Sequence, residues 1–306
     1  MTIEMVIPVL AAAVQCGTPI LYATLGEMLT ERAGVLNLGV EGMMIIGTFT
    51  AFLALHLTGD PWIAVVVAAL CGGALGLVHG IVCLVFQGNQ VVSGLALTIF
   101  GVGLADYLGT PFVGTVTTGF TPFSLPVLGD IPVLGEVFFR HDALVNLSYV
   151  LPPLFWLFLA RTRWGLALRA TGEHPAAAAA AGINPVLVRW AALFAGGALV
   201  GIGGAYLSLA YTHLWTNNMT AGRGWIAVAL VIFAFWRPGR AVLGAYLFGG
   251  VMAFQLRLQA MGASVPSSLL LMLPYALTIG VLLFSSARGK GRGAPAALGV
   301  NIEPKD

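Results

Sequence analysis

Long apolar runs separated by short polar segments follow one another along most of the chain. A helix that crosses a bilayer needs about 20 mainly apolar residues. The pattern predicts about nine such helices, over residues 5–26, 40–58, 62–86, 90–109, 143–160, 188–211, 223–236, 239–256 and 266–284. The seventh and eighth runs are short, and only Arg237–Arg240 separates them. They form either two thin spans or a pair of broken helices that line a cavity.

The composition indicates a protein that lies mostly within lipid. Of the 306 residues, 58% are hydrophobic and 8% are charged, whereas soluble domains carry about 25% charged residues. So few charges cannot cover a water-facing surface. The sequence therefore predicts an all-α, polytopic membrane helix bundle over residues 1–286. A polar tail follows at 287–306, and its Gly, Pro and basic residues favour disorder.

The basic residues predict an orientation, because cytoplasmic loops carry an excess of Lys and Arg. If the segments 27–39, 87–89, 161–187 and 237–240 share one side with the C-terminal tail, that side, with Arg189 just after the third segment, holds eleven of the fourteen Lys and Arg residues. We therefore predict a cytoplasmic C-terminus and an N-terminus on the outer side. Residues 110–141, the longest outward segment, would then form a structured extracytoplasmic loop.

A short capped helix is predicted within the basic 161–187 segment. Pro175 suits a first helical turn, six alanines follow it, and Gly182 is a natural helix end. The resulting helix of about seven residues is too short to be stable alone in water. It is either an element that docks into another protein or an ordinary connector on the membrane surface.

Polar side chains near the starts of the second and fourth helices are the first candidates for a solute path. Asn37 and Glu41 are four residues apart and share a helix face. They line the pathway or its gate, or they make a structural hydrogen bond at the membrane edge. Asn89 and Ser93 repeat this spacing at the start of the fourth helix, where they either hold a polar solute or cap the helix.

The outer side offers a second group of candidates. The amides of Asn217 and Asn218 can hydrogen-bond hydroxyl groups, and the indole of Trp225 can stack on a sugar or a base. The alternative for the tryptophans of this segment is an aromatic belt at the membrane interface.

No motif in the sequence is typical of a nucleophile with its base, a metal cluster or a phosphate-binding loop. We therefore predict no catalytic activity, no metal and no cofactor for this chain. An ion-coupled secondary transporter, the main rival class, would place an ionisable residue at mid-membrane. Glu41, Asp106 and His79 are the candidates, and none of them is clearly at the middle of a span.

Four motifs occur in an order that resembles ABC transporter permeases of the branched-chain amino acid/ribose type. The resemblance spans roughly residues 20–250, and the motifs look most like the nucleoside and simple-sugar branch. The motifs are ERAGVLNLGVEG at 31–42, GNQVVSGLA at 88–96, EHPA at 173–176 with AGIN at 181–184, and NMTAGRGWIA at 218–227.

The resemblance implies a type II importer fold in a bacterial inner membrane, with nucleosides as the first expected solute and simple sugars as the second. It implies a second permease chain, identical or different, a cytoplasmic ATPase and an extracytoplasmic substrate-binding protein. Thr98, a further residue expected in the substrate pathway, stands on the fourth helix where Asn is expected for the family. The segment 173–184 corresponds to the helix that couples the permease to the ATPase. Its expected coupling residues are Glu173, His174, Pro175, Ala178, Ala179, Gly182 and Asn184.

Overall fold

The computed structural model describes residues 3–262, 266, 269–270, 272–287 and 293–300. Within these residues the chain is almost entirely helical, as the apolar runs predict. The helices are α1 Ile3–Arg32, α2 Val40–Thr58, α3 Pro61–Gly80, α4 Gln90–Gly109, α5 Ala143–Arg161, α6 Arg163–Glu173, α7 Pro175–Ala180, α8 Pro185–Tyr206, α9 Arg223–Ala234, α10 Pro238–Ala260 and α11 Leu273–Ala287.

Seven helices in the described residues are long and apolar enough to cross a membrane, namely α1 to α5, α8 and α10. The multi-pass bundle is thus confirmed, whereas the count of about nine spans is not. Helix α9 has 12 residues and α11 has 15, which give lengths of about 18 and 22 Å. The two predicted runs on either side of Arg237–Arg240 prove unequal, because the first is the short α9 and the second is the 23-residue α10.

Helix α8 lies in the middle of the bundle and packs along α1, α2 and α3. Its glycines allow this because they bring helix backbones into direct contact. A Cβ atom on Gly72 of α3 would overlap the carbonyl oxygen of Gly197, and one on Gly204 would overlap the carbonyl oxygen of Met44 in α2. The small residues of α3 and α8 therefore determine how closely the central helices approach.

The segment between α4 and α5 forms a compact cap over one end of the bundle. Two short antiparallel strands, β1 Phe123–Ser124 and β2 Arg140–His141, pair Phe123 with His141. Phe120 and Val137 are buried against residues of α1, α2 and α8. These two side chains attach the segment to the bundle.

Residues 293–300 pack against α6 and the start of α4, although composition predicts disorder over the whole tail. The backbone N–H of Ala297 donates to the Gly172 carbonyl at 2.9 Å, and Gln90 Nε2 donates to the Val300 carbonyl at 3.0 Å. These partners lie more than 120 residues away along the chain, so local composition could not reveal them. Residues 288–292 and 301–306 of the tail lie outside the described residues.

Candidate functional site

The short helix α9 begins at a loop that the carboxylate of Glu41 holds in place. Glu41 Oε1 accepts hydrogen bonds from Thr220 Oγ1 at 2.5 Å and from the Gly222 N–H at 2.9 Å, and Oε2 accepts one from the Gly224 N–H at 2.6 Å. The side chain is 4% exposed. A carboxylate at a helix N-terminus satisfies backbone N–H groups that have no partner within the helix. Glu41 of α2 therefore anchors the start of α9.

Glycine is required at two positions of this loop. Gly222 has φ +80°, a backbone conformation that L-residues with a Cβ rarely adopt. A Cβ on Gly224 would lie 2.6 Å from the Glu41 Cα atom, which is closer than van der Waals contact allows. Between them, Arg223 is buried and its Nη1 donates to the carbonyls of Met219 and Thr220. The loop is thus fitted to the Glu41 backbone as well as to its carboxylate.

The other end of α9 is held by a second carboxylate, from α1. Glu31 Oε2 accepts a hydrogen bond from Trp236 Nε1 at 2.5 Å, and Arg32 Nη2 donates to the Trp236 carbonyl at 3.0 Å. Phe235 and Trp236 both have positive φ, 52° and 54°, where the chain turns from α9 into α10. Because strained backbone persists only where surrounding contacts impose it, the Glu31–Trp236 pair defines this turn.

Glu27 is a buried carboxylate that the sequence did not single out. Its Oε1 accepts from the Asn37 N–H at 3.0 Å, and its Oε2 accepts from Thr30 Oγ1 at 2.9 Å. The Asn37 side chain is 1% exposed and its Oδ1 accepts from the Gly39 N–H at 2.9 Å. Asn37 and Glu27 thus shape the link from α1 to α2, which favours the structural alternative for Asn37. The four-residue spacing of Glu27 and Glu31 within an apolar helix was the available signal.

His79 connects three elements near the start of α4. Its Nδ1 lies 2.9 Å from Ser93 Oγ, its Nε2 lies 3.0 Å from the Leu36 carbonyl oxygen, and the ring is fully buried. Asn89 caps α4 by accepting from the Val92 N–H at 3.0 Å, and its side chain is exposed. Thr98 is buried and donates to the Leu38 carbonyl at 2.9 Å. Of the candidates on α4, Asn89 is the one with an exposed side chain.

The outer candidates lie together but not in one buried cluster. Asn217 and Asn218 are exposed, Trp225 is half-buried, and the Asn218 N–H donates to Asp106 Oδ1 at 3.1 Å. Trp215 is fully buried and packs against Phe49 with a centroid distance of 5.2 Å. Trp215 is thus a core residue rather than part of an aromatic belt, whereas the asparagines keep their amides available.

The predicted coupling segment forms the six-residue helix α7. His174 caps it, with Nδ1 accepting from the Ala177 N–H at 3.3 Å, and Pro175 takes the first helical position. Gly182, with φ +83°, ends the turn that follows. Asn184 caps α8, since its Oδ1 accepts from the N–H groups of Val186 and Leu187, both at 3.1 Å. His174, Pro175, Gly182 and Asn184 together explain why the short α7 lies between the longer helices α6 and α8.

The surface of α7 is small and mostly alanine. Ala176, Ala177 and Ala180 are exposed, Ala179 is half-buried, and Ala178 is 3% exposed because it faces the chain's own interior. Ala178 is therefore not accessible to a partner. The adjacent Glu173 is exposed, and its Oε2 accepts from the Ala296 N–H of the tail at 3.3 Å.

The family model for the permease component of branched-chain amino acid transport systems matches residues 9–282. The match covers most of the chain, and the chain therefore belongs to this family of ABC transporter permeases. The motif-based resemblance to the family is confirmed, and so is the chain's place among multi-pass membrane proteins.

Several named relatives are similar over most of their length. A Haloferax volcanii protein named "Putative glucose ABC transporter permease protein TsgC13" is 45% identical over 84% of this chain and 79% of its own. The nucleoside ABC transporter permease protein NupC of Lactococcus lactis subsp. cremoris is 33% identical over 93% of both chains. The guanosine ABC transporter permease protein NupQ of Bacillus subtilis is 32% identical over 95% of both. No solved structure matches the chain.

Proposed function

We propose that this chain is the solute-translocating subunit of an ABC importer and that its solute is a nucleoside. The observation that carries the proposal is the pair of relatives named as nucleoside and guanosine permeases, which align with 93% and 95% of this chain. Alignment over nearly the full length gives counterparts here to the helices and loops of those permeases. The energy comes from ATP that a separate subunit hydrolyses, and this chain has no catalytic role.

The coupling helix α7 is the contact for that ATPase. Its exposed alanines present a flat surface without bulk, which suits close packing into a groove. His174 and Gly182 fix the two ends of α7, so a displacement of α7 also moves α6 and α8. The complete importer contains a second permease chain and an extracytoplasmic substrate-binding protein that delivers the nucleoside.

The solute meets the exposed polar side chains rather than the buried ones. Asn89, Asn217 and Asn218 have exposed amides, and Trp225 adds a partly exposed ring suited to a base or a ribose. Asn37, Glu41 and Thr98 act indirectly, because their polar atoms already bond within the chain. Ser93 acts through His79.

One end of the bundle carries Arg32, Arg169, Arg237 and Arg240 and is called the arginine-rich face. This face is cytoplasmic. On this basis α7 and the C-terminus lie inside the cell, and the 110–141 cap and the N-terminus lie outside. The segments that contain α9 and α11 bring the membrane crossings to about nine, an odd number that leaves the two termini on opposite sides.

Uptake by cells that lack their own nucleoside transport tests the proposal. Such cells, expressing the chain with its ATPase, partner permease and binding protein, should accumulate labelled guanosine, and vanadate should stop the accumulation. A matched culture with an ATPase that cannot hydrolyse ATP should show none. Guanosine uptake that resists vanadate but collapses with a protonophore would instead identify an ion-coupled transporter and overturn the proposal.

A simple sugar is the second candidate solute, because the relative named as a glucose permease is 45% identical to this chain. Every nucleoside carries a ribose or a deoxyribose with free hydroxyl groups, so amides that bond sugar hydroxyls suit either class. Competition separates the two candidates. Excess glucose should leave guanosine uptake unchanged if the solute is a nucleoside, and vanadate-sensitive glucose uptake without guanosine uptake would favour the sugar.

A further inference from the structure

Four arginines surround one cavity at the arginine-rich face of the bundle. The cavity has a volume of about 520 Å³, and Arg32, Arg169, Arg237 and Arg240 line it, from α1, α6 and the start of α10. Arg237 and Arg240 are exposed, and Arg32 and Arg169 are half-buried. Four like charges around one space repel each other unless an anion lies between them, and of the chain's own carboxylates Glu173 attracts Arg32.

Two of these guanidinium groups retain unused donors. Arg32 Nη2 donates to the Trp236 carbonyl, yet the Nε atoms of Arg32 and Arg169 are buried and donate no hydrogen bond within the part of the chain that the structure describes. A buried donor without a partner costs free energy. Guanidinium groups pair especially well with phosphate, which can accept two of their hydrogen bonds at once.

A second, apolar cavity lies next to the first, along the groove between α5 and α10. It has a volume of about 470 Å³, and its lining includes Pro152, Val242 and Tyr246. Trp156 and Gly239 line both cavities, so the two lie side by side. The groove reaches Ser148, which lies about 12 Å from Trp156 along α5. That length is close to half of a hydrocarbon core of about 30 Å.

We propose that the two cavities together bind one glycerophospholipid with an anionic head group. Its phosphate lies among the four arginines, and an acyl chain lies in the apolar groove. Basic pockets between membrane helices at the cytoplasmic boundary suit such head groups. A free phosphate would use the arginines alone and would leave the groove without a role, and an uncharged solute would need no arginine cluster.

Two kinds of variant separate the head-group contacts from the acyl groove. Arg237→Gln/Arg240→Gln removes two exposed charges and leaves the bonded Arg32 intact. Gly239→Leu fills the junction of the cavities, and a Cβ there has no heavy atom within 4 Å, so the fold has room for it. Arg161→Gln/Arg163→Gln is the matched control, because it removes two exposed arginines outside the basic cavity.

Native mass spectrometry of the purified full chain measures the binding, with phosphatidylglycerol and phosphatidylcholine of equal chain length as probes. Phosphatidylglycerol should bind the unaltered chain more tightly, and the 237/240 pair should lose about thirtyfold of that preference, since each basic group near an anionic lipid contributes about fivefold. Gly239→Leu should weaken the binding of both lipids. The control pair Arg161→Gln/Arg163→Gln should retain the preference for phosphatidylglycerol. Size-exclusion profiles and melting temperatures verify that all variants fold.

Three results would overturn the proposal. Equal binding of both lipids by the unaltered chain would remove the anionic requirement. Displacement of phosphatidylglycerol by millimolar inorganic phosphate would point to a soluble anion. Loss of the permease dimer, rather than of lipid, in Gly239→Leu would show that a second copy of the chain covers the groove.

Discussion

Glu41 holds the start of α9 with three hydrogen bonds at one carboxylate, and a glutamine cannot replace all of them. If the amide oxygen of Glu41→Gln takes the place of Oε1, the amide nitrogen faces the Gly224 N–H, which donates to Oε2 in the unaltered chain. A buried donor left without an acceptor costs about 1–3 kcal/mol. We expect Glu41→Gln to lower the melting temperature of the purified chain by several degrees and to lower uptake with it.

Asp60→Asn is the control for this carboxylate-to-amide change. Asp60 also caps a helix, by accepting from the Trp62 N–H at 2.8 Å, but it is exposed. Asparagine caps helices as well as aspartate does. The free energy of unfolding of Asp60→Asn should therefore differ from that of the unaltered chain by less than about 0.5 kcal/mol. If Glu41→Gln has normal stability but loses uptake, the anchoring role is contradicted. Glu41 would then be a residue of the solute path.

The short helix α7 has an exposed face and a buried face, and a charge should act differently on each. Ala177→Asp places a carboxylate in the first turn, where it favours the helix, so α7 should remain folded. Against an ATPase surface the unpaired charge costs several kcal/mol. We expect nucleoside-stimulated ATP hydrolysis by the purified complex, and co-purification of the ATPase, to fall by about tenfold or more.

Two further variants at α7 distinguish lost coupling from lost folding. Ala177→Asn has nearly the size of the Asp variant without its charge and should keep most of the coupling. Ala178→Asp buries the charge inside the chain, so its yield and melting temperature should fall before coupling can be measured. Full coupling in Ala177→Asp would mean that α7 is only a connector between α6 and α8.

For the whole molecule, the distribution of arginines predicts a cytoplasmic α7 and an outer 110–141 cap. Thr118 and Ala176 are both exposed, so a single cysteine at either position is open to reagent, and the three native cysteines are replaced in the background. In intact cells, a thiol reagent that cannot cross the membrane should label position 118 and not 176. Permeabilised cells should label both, and the reverse pattern in intact cells would invert the topology.

The sequence by itself determined those features that depend on solvation and on local capping. A long apolar run has to leave water, so the sequence predicted a multi-pass bundle of about nine spans, of which the described residues show seven of full length, and it offered Asn89 as the cap of α4. Four ordered motifs were sufficient for the family. Composition alone could not reveal the hydrogen-bond partners of residues 293–300, which lie in α6 and α4.

Only the tertiary structure decided which distant residues meet. Glu41 accepts from residues about 180 positions later, and Glu31 accepts from Trp236 more than 200 positions later. Neither pairing leaves a local pattern, because a buried carboxylate and an exposed one look the same in a sequence. The apolar residues of α9 predict a thin span or a broken helix, and its ends are held by those two carboxylates. Hydropathy shows only that a segment leaves water. The packing of the bundle determines which groups form hydrogen bonds with the segment's polar atoms.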